Sequence, residues 1–341
     1  MNLKQSAVAL SLGLAFFVAG CDNTAKVPAS KSDAETVNNT KTITIGYSDY
    51  PGWVAWQVAI EKGWFKEAGL DVEFKWFDYS ASLNAFASNQ LDAVTVASGD
   101  ALVTSTGGVK ATMIMVTDYS SGNDVIIAKN GINKITDLKG KSIAVEKGVV
   151  DHYLLNTALT ANNIKQTDVT LVNTLTNELP QVFNTPDVSA IAVWQPVADQ
   201  ALKAVAGSKI IYSSADQPGL IYDAVAVHPK HIASHREEWK KIVQIWDKTV
   251  KYIQDPTTQE DAFNIMANRV GVDAKTYGNY VKGTYLLDLE ANKRVFEKSE
   301  SLDSLYGSTY RVNQFNVDVG IYDQLADVDS LIDPSIVKEL P

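Results

Sequence analysis

Acidic side chains recur where the strands of this sequence end, and almost no basic side chain accompanies them. The acids at these strand ends and crossings are Asp49, Asp78, Asp100, Asp118, Glu146, Asp151, Glu178 and Asp223, and Lys147 is the one basic residue among the same loops. A carboxylate that becomes buried is costly unless it is paired, and a small cation with several N–H donors can pair with two of them. An anion would instead require Arg, Lys or free helix N-termini, so the pattern favours a positively charged ligand.

Aromatic side chains alternate with these acids along the same loops. They are Tyr50, Trp53, Phe77, Tyr79, Tyr119, Trp194 and Tyr222. An aromatic face attracts a cation, most strongly where water is excluded, and a planar guanidinium can stack on a ring while its forked donors reach carboxylates. The sequence therefore predicts a site for guanidine, or for a related planar cation or urea-like compound. Its predicted ligand-binding residues are Asp49, Trp53, Asp78, Tyr79, Asp100, Asp118, Tyr119, Glu146, Asp151, Trp194 and Tyr222.

Several of these residues also have a structural explanation. An acid that follows a strand is often a helix N-cap, and this alternative applies to Asp100, Asp151 and Glu178. Trp194 ends a strand and leads into the next helix, so it is either a ligand contact or a core residue beneath that helix. Trp53 could equally pack against its own helix.

The elements that must position these side chains alternate between strand and helix. One set of strands and helices runs from residue 42 to 117 and a second from 142 to 204, and such repeating units indicate parallel sheets flanked by helices. Two further strands, near residues 124–129 and 220–228, connect the sets. The prediction is an α/β fold with two lobes, each a mostly parallel sheet flanked by helices, and with the two crossing strands as a hinge. Lobe 1 comprises residues 42–124 plus 225–341, lobe 2 comprises residues 125–224, and ligands of such sheets lie beyond the carboxyl ends of the strands.

The last third of the chain reads as helical and polar, and we expect it to pack against lobe 1. Ser234 and Glu237 form a capping-box pattern before a long helix. Trp239 and Trp246 follow at helical spacing and are predicted core residues. His231 and His235 are four residues apart, a spacing that can suit a metal. No third ligand accompanies them, so the sequence predicts neither a metal site nor a cofactor.

The N-terminus has the features of a lipoprotein signal. Lys4 precedes an apolar run, and Val18-Ala19-Gly20-Cys21 places small residues before the single cysteine of the chain. This pattern resembles the bacterial lipobox, so we predict a signal peptide at residues 1–20, lipidation of Cys21 and a flexible polar tether at residues 21–41. The alternative is a plain secretory signal. Asp22 resembles an inner-membrane retention signal, which implies a protein held on the periplasmic side of that membrane.

Length and charge narrow the class further. The chain has 341 residues, with 30 basic against 40 acidic side chains and a formal net charge of −10. Nucleic-acid binding depends on phosphate neutralisation by Lys and Arg, so this charge argues against it.

The segment from Ile43 to Pro229 resembles the taurine/nitrate/sulfonate-type solute-binding proteins, which are themselves similar to thiamine-precursor binding proteins. The resemblance lies in the segments Glu61-Lys62-Gly63-Trp64-Phe65-Lys66-Glu67-Ala68-Gly69-Leu70, Leu91-Asp92-Ala93-Val94 and Ile135-Thr136-Asp137-Leu138-Lys139-Gly140-Lys141. It implies a periplasmic-binding-protein fold of type II and a monomeric, non-enzymatic protein. Such a protein passes a small molecule to an inner-membrane ABC permease.

Two alternatives remain open at this point. The resemblance itself implies a ligand such as taurine, an alkanesulfonate or a thiamine pyrimidine precursor. An enzyme similar to thiamine-pyrimidine synthase is the alternative of another class, and it would require a cysteine-rich motif that a chain with one cysteine does not contain.

Overall fold

The computed structural model describes residues 42–341. The predicted signal peptide, the predicted tether and Cys21 lie outside these described residues. Within them, none of the helices combines the length and the apolar character that a membrane crossing requires.

The strands alternate with helices along most of this region. The strands are β1 (Ile43–Tyr47), β2 (Val72–Trp76), β3 (Ala93–Ala97), β4 (Thr112–Ser120), β5 (Asp124–Ala128), β6 (Ser142–Val145), β7 (Thr170–Asn173), β8 (Ala190–Trp194), β9 (Lys209–Ser213), β10 (Tyr222–Val227) and β11 (Thr284–Leu286). The helices up to β10 are α1 (Pro51–Val54), α2 (Trp56–Glu61), α3 (Trp64–Glu67), α4 (Tyr79–Ala87), α5 (Ser98–Thr106), α6 (Val150–Ala161), α7 (Leu179–Phe183) and α8 (Val197–Ala204). The later helices are α9 (Pro229–Ser234), α10 (Arg236–Gln254), α11 (Gln259–Val270), α12 (Ala274–Lys282), α13 (Leu289–Val295), α14 (Leu305–Asp318) and α15 (Ser335–Glu339).

The strands form two mixed sheets. The first has the order β11-β4-β10-β3-β1-β2 and the second the order β7-β6-β8-β5-β9. In the first, β1 to β4 run in one direction, and β10 and β11 run against them. In the second, only β5 runs against the other four strands. The predicted α/β fold is confirmed, and the sheets are mixed because β5 and β10, which cross between them, enter antiparallel to their neighbours.

The two crossings lie side by side and are bonded to each other. Residues 121–123 lead from β4 to β5, and residues 214–221 lead from β9 to β10. The Ser214 hydroxyl contacts the Ser120 hydroxyl at 2.7 Å and accepts the Gly122 backbone N–H at 2.7 Å. These are the segments predicted to act as a hinge. The whole of β10 belongs to the first sheet, and the predicted lobe boundaries remain a prediction.

Burial follows the alternation of side chains along the strands. In β8, Ile191 and Val193 pack into one apolar cluster with α7 and α8, whereas Ala190, Ala192 and Trp194 belong to the main core on the opposite face. A strand buried on both faces is apolar throughout, as β8 is.

The C-terminal region returns to the first sheet, as predicted. β11 pairs with β4, and the backbone of Asp333 donates to the carbonyl of Met113 in the same strand. The predicted core residues Trp239 and Trp246 of α10 are buried, and the Trp246 indole donates to the carbonyl of Leu287 at 2.8 Å.

The predicted capping box is wrong. Ser234 ends α9 and its hydroxyl bonds to the carbonyl of Lys230, so it does not reach the start of α10. The N-cap position of α10 is His235, which forms no side-chain capping bond.

Candidate functional site

A cavity of about 240 Å³ lies between the two sheets, at the carboxyl ends of their parallel strands. Its first wall comes from Asp49 after β1 and from residues 78–84 around the start of α4. Its second wall comes from Glu146 after β6, from residues 175–177 after β7 and from Trp194 at the end of β8. This is the position at which parallel α/β sheets bind ligands. We refer to it below as the cavity.

Hydrogen bonds connect the two walls of the cavity. The Trp194 indole N–H donates to Asp49 at 3.2 Å, and the Asn177 side-chain amide donates to Asp78 at 3.2 Å. The Ser80 hydroxyl donates to Glu146. Glu146 is also held on its own side, since it accepts the backbone N–H of Thr176 at 3.0 Å and the Thr176 hydroxyl at 2.9 Å.

Three aromatic side chains form the inner end of the cavity. The Trp194 ring meets Tyr79 edge-on, with centroids 5.5 Å apart, and Trp53 stacks on the other side of Tyr79 at 5.0 Å. Both tryptophans are buried. We call Trp53, Tyr79 and Trp194 the aromatic wall.

Five buried aspartates lie behind the aromatic wall. They are Asp100, Asp118, Asp124, Asp151 and Asp223, each at most 3% exposed, and we call them the inner aspartate cluster. The Tyr79 hydroxyl connects the wall to this cluster, since it donates to Asp100 at 2.6 Å.

Local backbone geometry brings these aspartates together. Asp118 of β4 and Asp223 of β10 are directly opposed in an antiparallel pair, and opposed side chains in such a pair lie on the same face of the sheet. Asp124, at the start of β5, is opposed to Trp194 in β8. Gly52 in α1 leaves room for the Asp118 carboxyl, because a Cβ atom at Gly52 would lie 2.1 Å from Asp118 Oδ1.

Burial without a basic partner raises the pKa of these carboxyls. Desolvation is the main cause and the neighbouring aspartates add to it, while the Tyr79 hydroxyl and the Val150 backbone partly offset it at Asp100. The pKa values of Asp100 and Asp118 rise to about 7 and that of Asp124 to about 6, while those of Asp151 and Asp223 rise well above the usual range.

Asp49 at the cavity behaves in the same way, with a pKa of about 6 that burial raises and the Trp194 indole lowers. Within residues 42–341, no Lys or Arg forms an ion pair with Asp49 or with any member of the inner aspartate cluster. The five aspartates therefore lack a positive charge of the chain's own to compensate them.

Several buried polar atoms at this position have no hydrogen-bond donor or acceptor. They are Oδ2 of Asp118, Oδ2 of Asp124, both carboxyl oxygens of Asp151, the Tyr50 hydroxyl and the Trp53 indole nitrogen. A buried polar group without a partner costs about 1–3 kcal/mol. Such a concentration of unsatisfied atoms at one place is typical of a binding site.

Helix capping does not explain the acids. The N-cap residues of α5 and α6 are Ala97 and Val149, so Asp100 and Asp151 lie inside the first turns of these helices. Asp78 and Glu178 do hold N-cap positions, but neither makes a side-chain capping bond.

The predicted site residues fall into three groups. Asp49, Asp78, Tyr79, Glu146 and Trp194 line the cavity. Trp53 belongs to the aromatic wall, and Asp100, Asp118 and Asp151 belong to the inner aspartate cluster. Tyr119 and Tyr222 lie apart from both. They meet each other edge-on at 5.6 Å, and the Tyr222 hydroxyl donates to the carbonyl of Leu302.

Strand alternation would have identified the residues that sequence reasoning missed. Successive side chains of a strand point to opposite faces, so a strand that presents Asp118 turns Tyr119 away, and one that presents Asp223 turns Tyr222 away. Asp124 and Asp223 are thus the cluster members absent from the predicted set. Ser80, Thr176 and Asn177 were also missed, because nothing in their residue type distinguishes them from ordinary loop residues.

No group of three His, Cys, Asp or Glu side chains among residues 42–341 has an arrangement that could hold a metal ion. His231 stacks on His235, with ring centroids 4.0 Å apart, and contacts Asp92 at 3.4 Å. The two histidines that attracted attention by their spacing therefore pack against each other.

The fold is that of the periplasmic binding proteins. The chain aligns with the periplasmic aliphatic sulphonate binding protein of Escherichia coli with a TM-score of 0.70 and 15% identity, covering 86% of this chain and 97% of that one. It aligns with the desulfurization enzyme DSZB with a TM-score of 0.64 and 14% identity, covering 87% and 98%. At these identities the likeness shows the fold alone.

Sequence comparison gives the family. Residues 51–259 match the family model described as NMT1/THI5 like, so the chain belongs to the NMT1/THI5-like family, and the predicted resemblance is confirmed. A Bacillus subtilis (strain 168) protein named as aliphatic sulfonates-binding is 23% identical, covering 83% of each chain. The taurine-binding periplasmic protein of Escherichia coli (strain K12) is 26% identical, covering 65% of this chain and 71% of the relative. The arginine-binding extracellular protein ArtP of Bacillus subtilis is 28% identical, covering 40% of this chain and 56% of the relative.

Proposed function

We propose that this protein is the solute-binding component of an ABC importer and that it captures a small nitrogen-containing cation between its two sheets. Guanidine, or a related planar cation or urea-like compound, is the lead candidate. The single observation that carries the ligand class is the set of buried carboxylates at the cavity and behind it, none of which has a Lys or Arg partner within the described residues. The protein would release its ligand to an inner-membrane permease.

The helices that begin at the site argue against an anion. Helix N-termini are where such a fold can offer backbone N–H groups to a negative ligand. Here Asp100 occupies the first turn of α5 and Asp151 the first turn of α6. A sulfonate or nitrate placed at these termini would face two carboxylates that already use their positive potential.

The named relatives support the importer function more strongly than they support one ligand. Those that cover most of the chain are named for sulfonates and taurine, whereas ArtP, over a shorter segment, is named for arginine, which carries a guanidinium group. Taurine is a zwitterion, so it and the sulfonates remain the alternative ligands. The loss of basic residues from the cavity is what separates this chain from an anion site.

Calorimetry with the purified protein at pH 8 tests this proposal. The panel is guanidinium chloride, urea, taurine, methanesulfonate and a thiamine pyrimidine. We expect heat of binding with guanidinium and none with methanesulfonate. Saturable binding of taurine or methanesulfonate, with none of guanidinium, would exclude the cation. Chemical conversion of a bound panel compound, followed by mass spectrometry, would instead indicate an enzyme like the one whose fold it shares.

We further propose that Cys21 anchors the protein on the periplasmic side of the inner membrane. The motif Val18-Ala19-Gly20-Cys21 and the single cysteine of the chain support this assignment. Replacing Cys21 with Ser should release the protein into the soluble fraction and remove the lipid that mass spectrometry detects on the native chain. Membrane association and lipid in the C21S protein would contradict the anchor.

A further inference from the structure

The inner aspartate cluster is built so that its carboxyls compete for protons. Asp118 and Asp223 are directly opposed in neighbouring strands, and Asp124 and Asp151 are hydrogen-bonding neighbours. Two like charges directly opposed in a sheet destabilise it. Two buried carboxyls in contact lower this cost when they share a proton, since one then donates to the other.

The cluster also presents atoms that a shared proton cannot satisfy. Buried oxygens of Asp118, Asp124 and Asp151 have no donor, and the Tyr50 hydroxyl points among the same groups without a partner. Tyr50 is not an acid of the cluster, so its unpaired hydroxyl independently indicates that a polar ligand belongs here. A carboxylate accepts only, and it therefore asks the ligand for N–H donors.

We propose that the inner aspartate cluster is the cation compartment of the binding site, and that an organic cation enters it in exchange for protons held between these carboxyls. This inference rests on the proposed function and names its ligand class and its regulation. The cation, a guanidinium or a primary ammonium, would pass from the cavity through the aromatic wall. Its charge replaces that of the departing protons, so the buried site gains little net charge as the ligand enters.

The surrounding groups favour this exchange from every side. Tyr79 in α4 and Glu146 after β6 face Asp100, while Tyr50 before α1 faces Asp118. Asp49 and Tyr277 of α12 contribute one further carboxyl and one further phenol nearby. The groups that face the cluster are thus carboxyls, phenols and hydroxyls, and each carboxylate that ionises opposes the ionisation of the next.

The aromatic wall separates the cavity from the cation compartment. Tyr79 lines the cavity with its ring while its hydroxyl donates to Asp100 and accepts the Ala97 backbone N–H at 3.1 Å. A cation that replaces Tyr79 as the donor to Asp100 can move past it and stack on Trp53 or Trp194. Desolvated stacking of this kind strengthens the attraction of a cation to a ring.

Proton exchange is measured directly by calorimetry of the whole protein with guanidinium chloride in buffers of different ionisation enthalpy. We expect about one proton to leave per cation between pH 6 and 7.5, and an affinity that rises about tenfold per pH unit in that range, since one proton is exchanged for one charge. The variants D151N and D223N should release fewer protons. D323N, an exposed aspartate on the C-terminal region, is the matched control and should behave as the wild type does.

A second measurement needs no ligand. Carboxyls whose folded-state pKa lies above the unfolded value stabilise the fold below about pH 4, and this contribution is lost as the pH rises through the folded pKa values near 6 to 7. We therefore expect the melting temperature of the ligand-free protein to fall between pH 4.5 and 7.5. The fall should be smaller in D151N and D223N, because Asn resembles a protonated Asp, and should be unchanged in D323N.

The outcomes separate this inference from the proposed function. Guanidinium binding without proton release, or a melting temperature whose pH dependence is the same in D151N and wild type, overturns the proton exchange and leaves the cation importer standing. Displacement of protons by Ca²⁺ but not by guanidinium or ethylammonium overturns the organic cation. Binding of taurine with proton uptake overturns both proposals.

Discussion

At the scale of single residues, position decides what each acid contributes. Asp78 is exposed at the mouth of the cavity and is held by the Asn177 amide, whereas Asp49 is enclosed and bonded to the Trp194 indole. A charge that is shielded from water interacts more strongly with a ligand than one that water screens. Residue type alone gives the two aspartates equal weight, but their surroundings favour Asp49.

Replacing Asp49 with Asn should therefore weaken guanidinium binding more than replacing Asp78 does. Loss of a charge-assisted hydrogen bond costs about 1.5–3 kcal/mol, which is about ten- to a hundredfold in Kd. For D78N we expect about 1 kcal/mol or less, as for an exposed pair. Calorimetry at pH 8, where the Asp49 carboxyl is ionised, measures both, with D323N as the control. An unchanged or improved affinity in D49N would point to an anionic ligand.

At the scale of elements, sequence patterns predict order but not pairing. The alternation of strand and helix from β1 to α8 follows the apolar periodicity closely, because each element buries one side and its caps and glycines limit it. The strands β9 and β11 were not predicted, since Lys209–Ser213 lies at a sheet edge with an exposed Ile210, and Thr284–Leu286 is only three residues long. Such strands exist through tertiary pairing and carry little local signal.

The site was predictable to the same extent as the elements. The strand ends identified Asp49, Asp78, Glu146 and Trp194, because the carboxyl ends of parallel strands converge. The cluster members Asp124 and Asp223 depend on which residues oppose each other across antiparallel pairs, and this register is set by long-range pairing. A sequence without its pairing partners does not contain that information.

The two crossing segments act as one element because Ser214 bonds both. Replacing Ser214 with Ala leaves the Gly122 N–H without its acceptor, and such a loss costs about 1–3 kcal/mol where the group is buried. We expect a lower urea midpoint and faster amide exchange at residues 121–123. Ser299, whose hydroxyl lies at the surface, provides the control variant S299A. Equal midpoints for S214A and S299A would show that the crossings are held by other contacts.

At the scale of the whole molecule, the cavity is closed by few bonds. The walls are connected by Trp194 to Asp49, Asn177 to Asp78 and Ser80 to Glu146. A neutral hydrogen bond contributes about 0.5–1.5 kcal/mol net, so this set is weak enough to open for ligand entry. Hinge closure around a ligand is the general mechanism of two-lobed binding proteins, and the paired crossings provide the place where the chain would bend.

Ligand-linked closure should be visible by small-angle X-ray scattering. Saturating guanidinium is expected to decrease the radius of gyration of the wild-type protein, because a cation that contacts both walls stabilises only the closed arrangement. The double variant S80A/N177A removes two of the cross-wall bonds and leaves the inner aspartate cluster unchanged. It should therefore require more guanidinium to reach the same compact profile, while S299A should match the wild type. A scattering profile that does not change, in a sample where calorimetry shows the cation bound, would mean that the two sheets hold a fixed separation and that ligand enters through the aromatic wall alone.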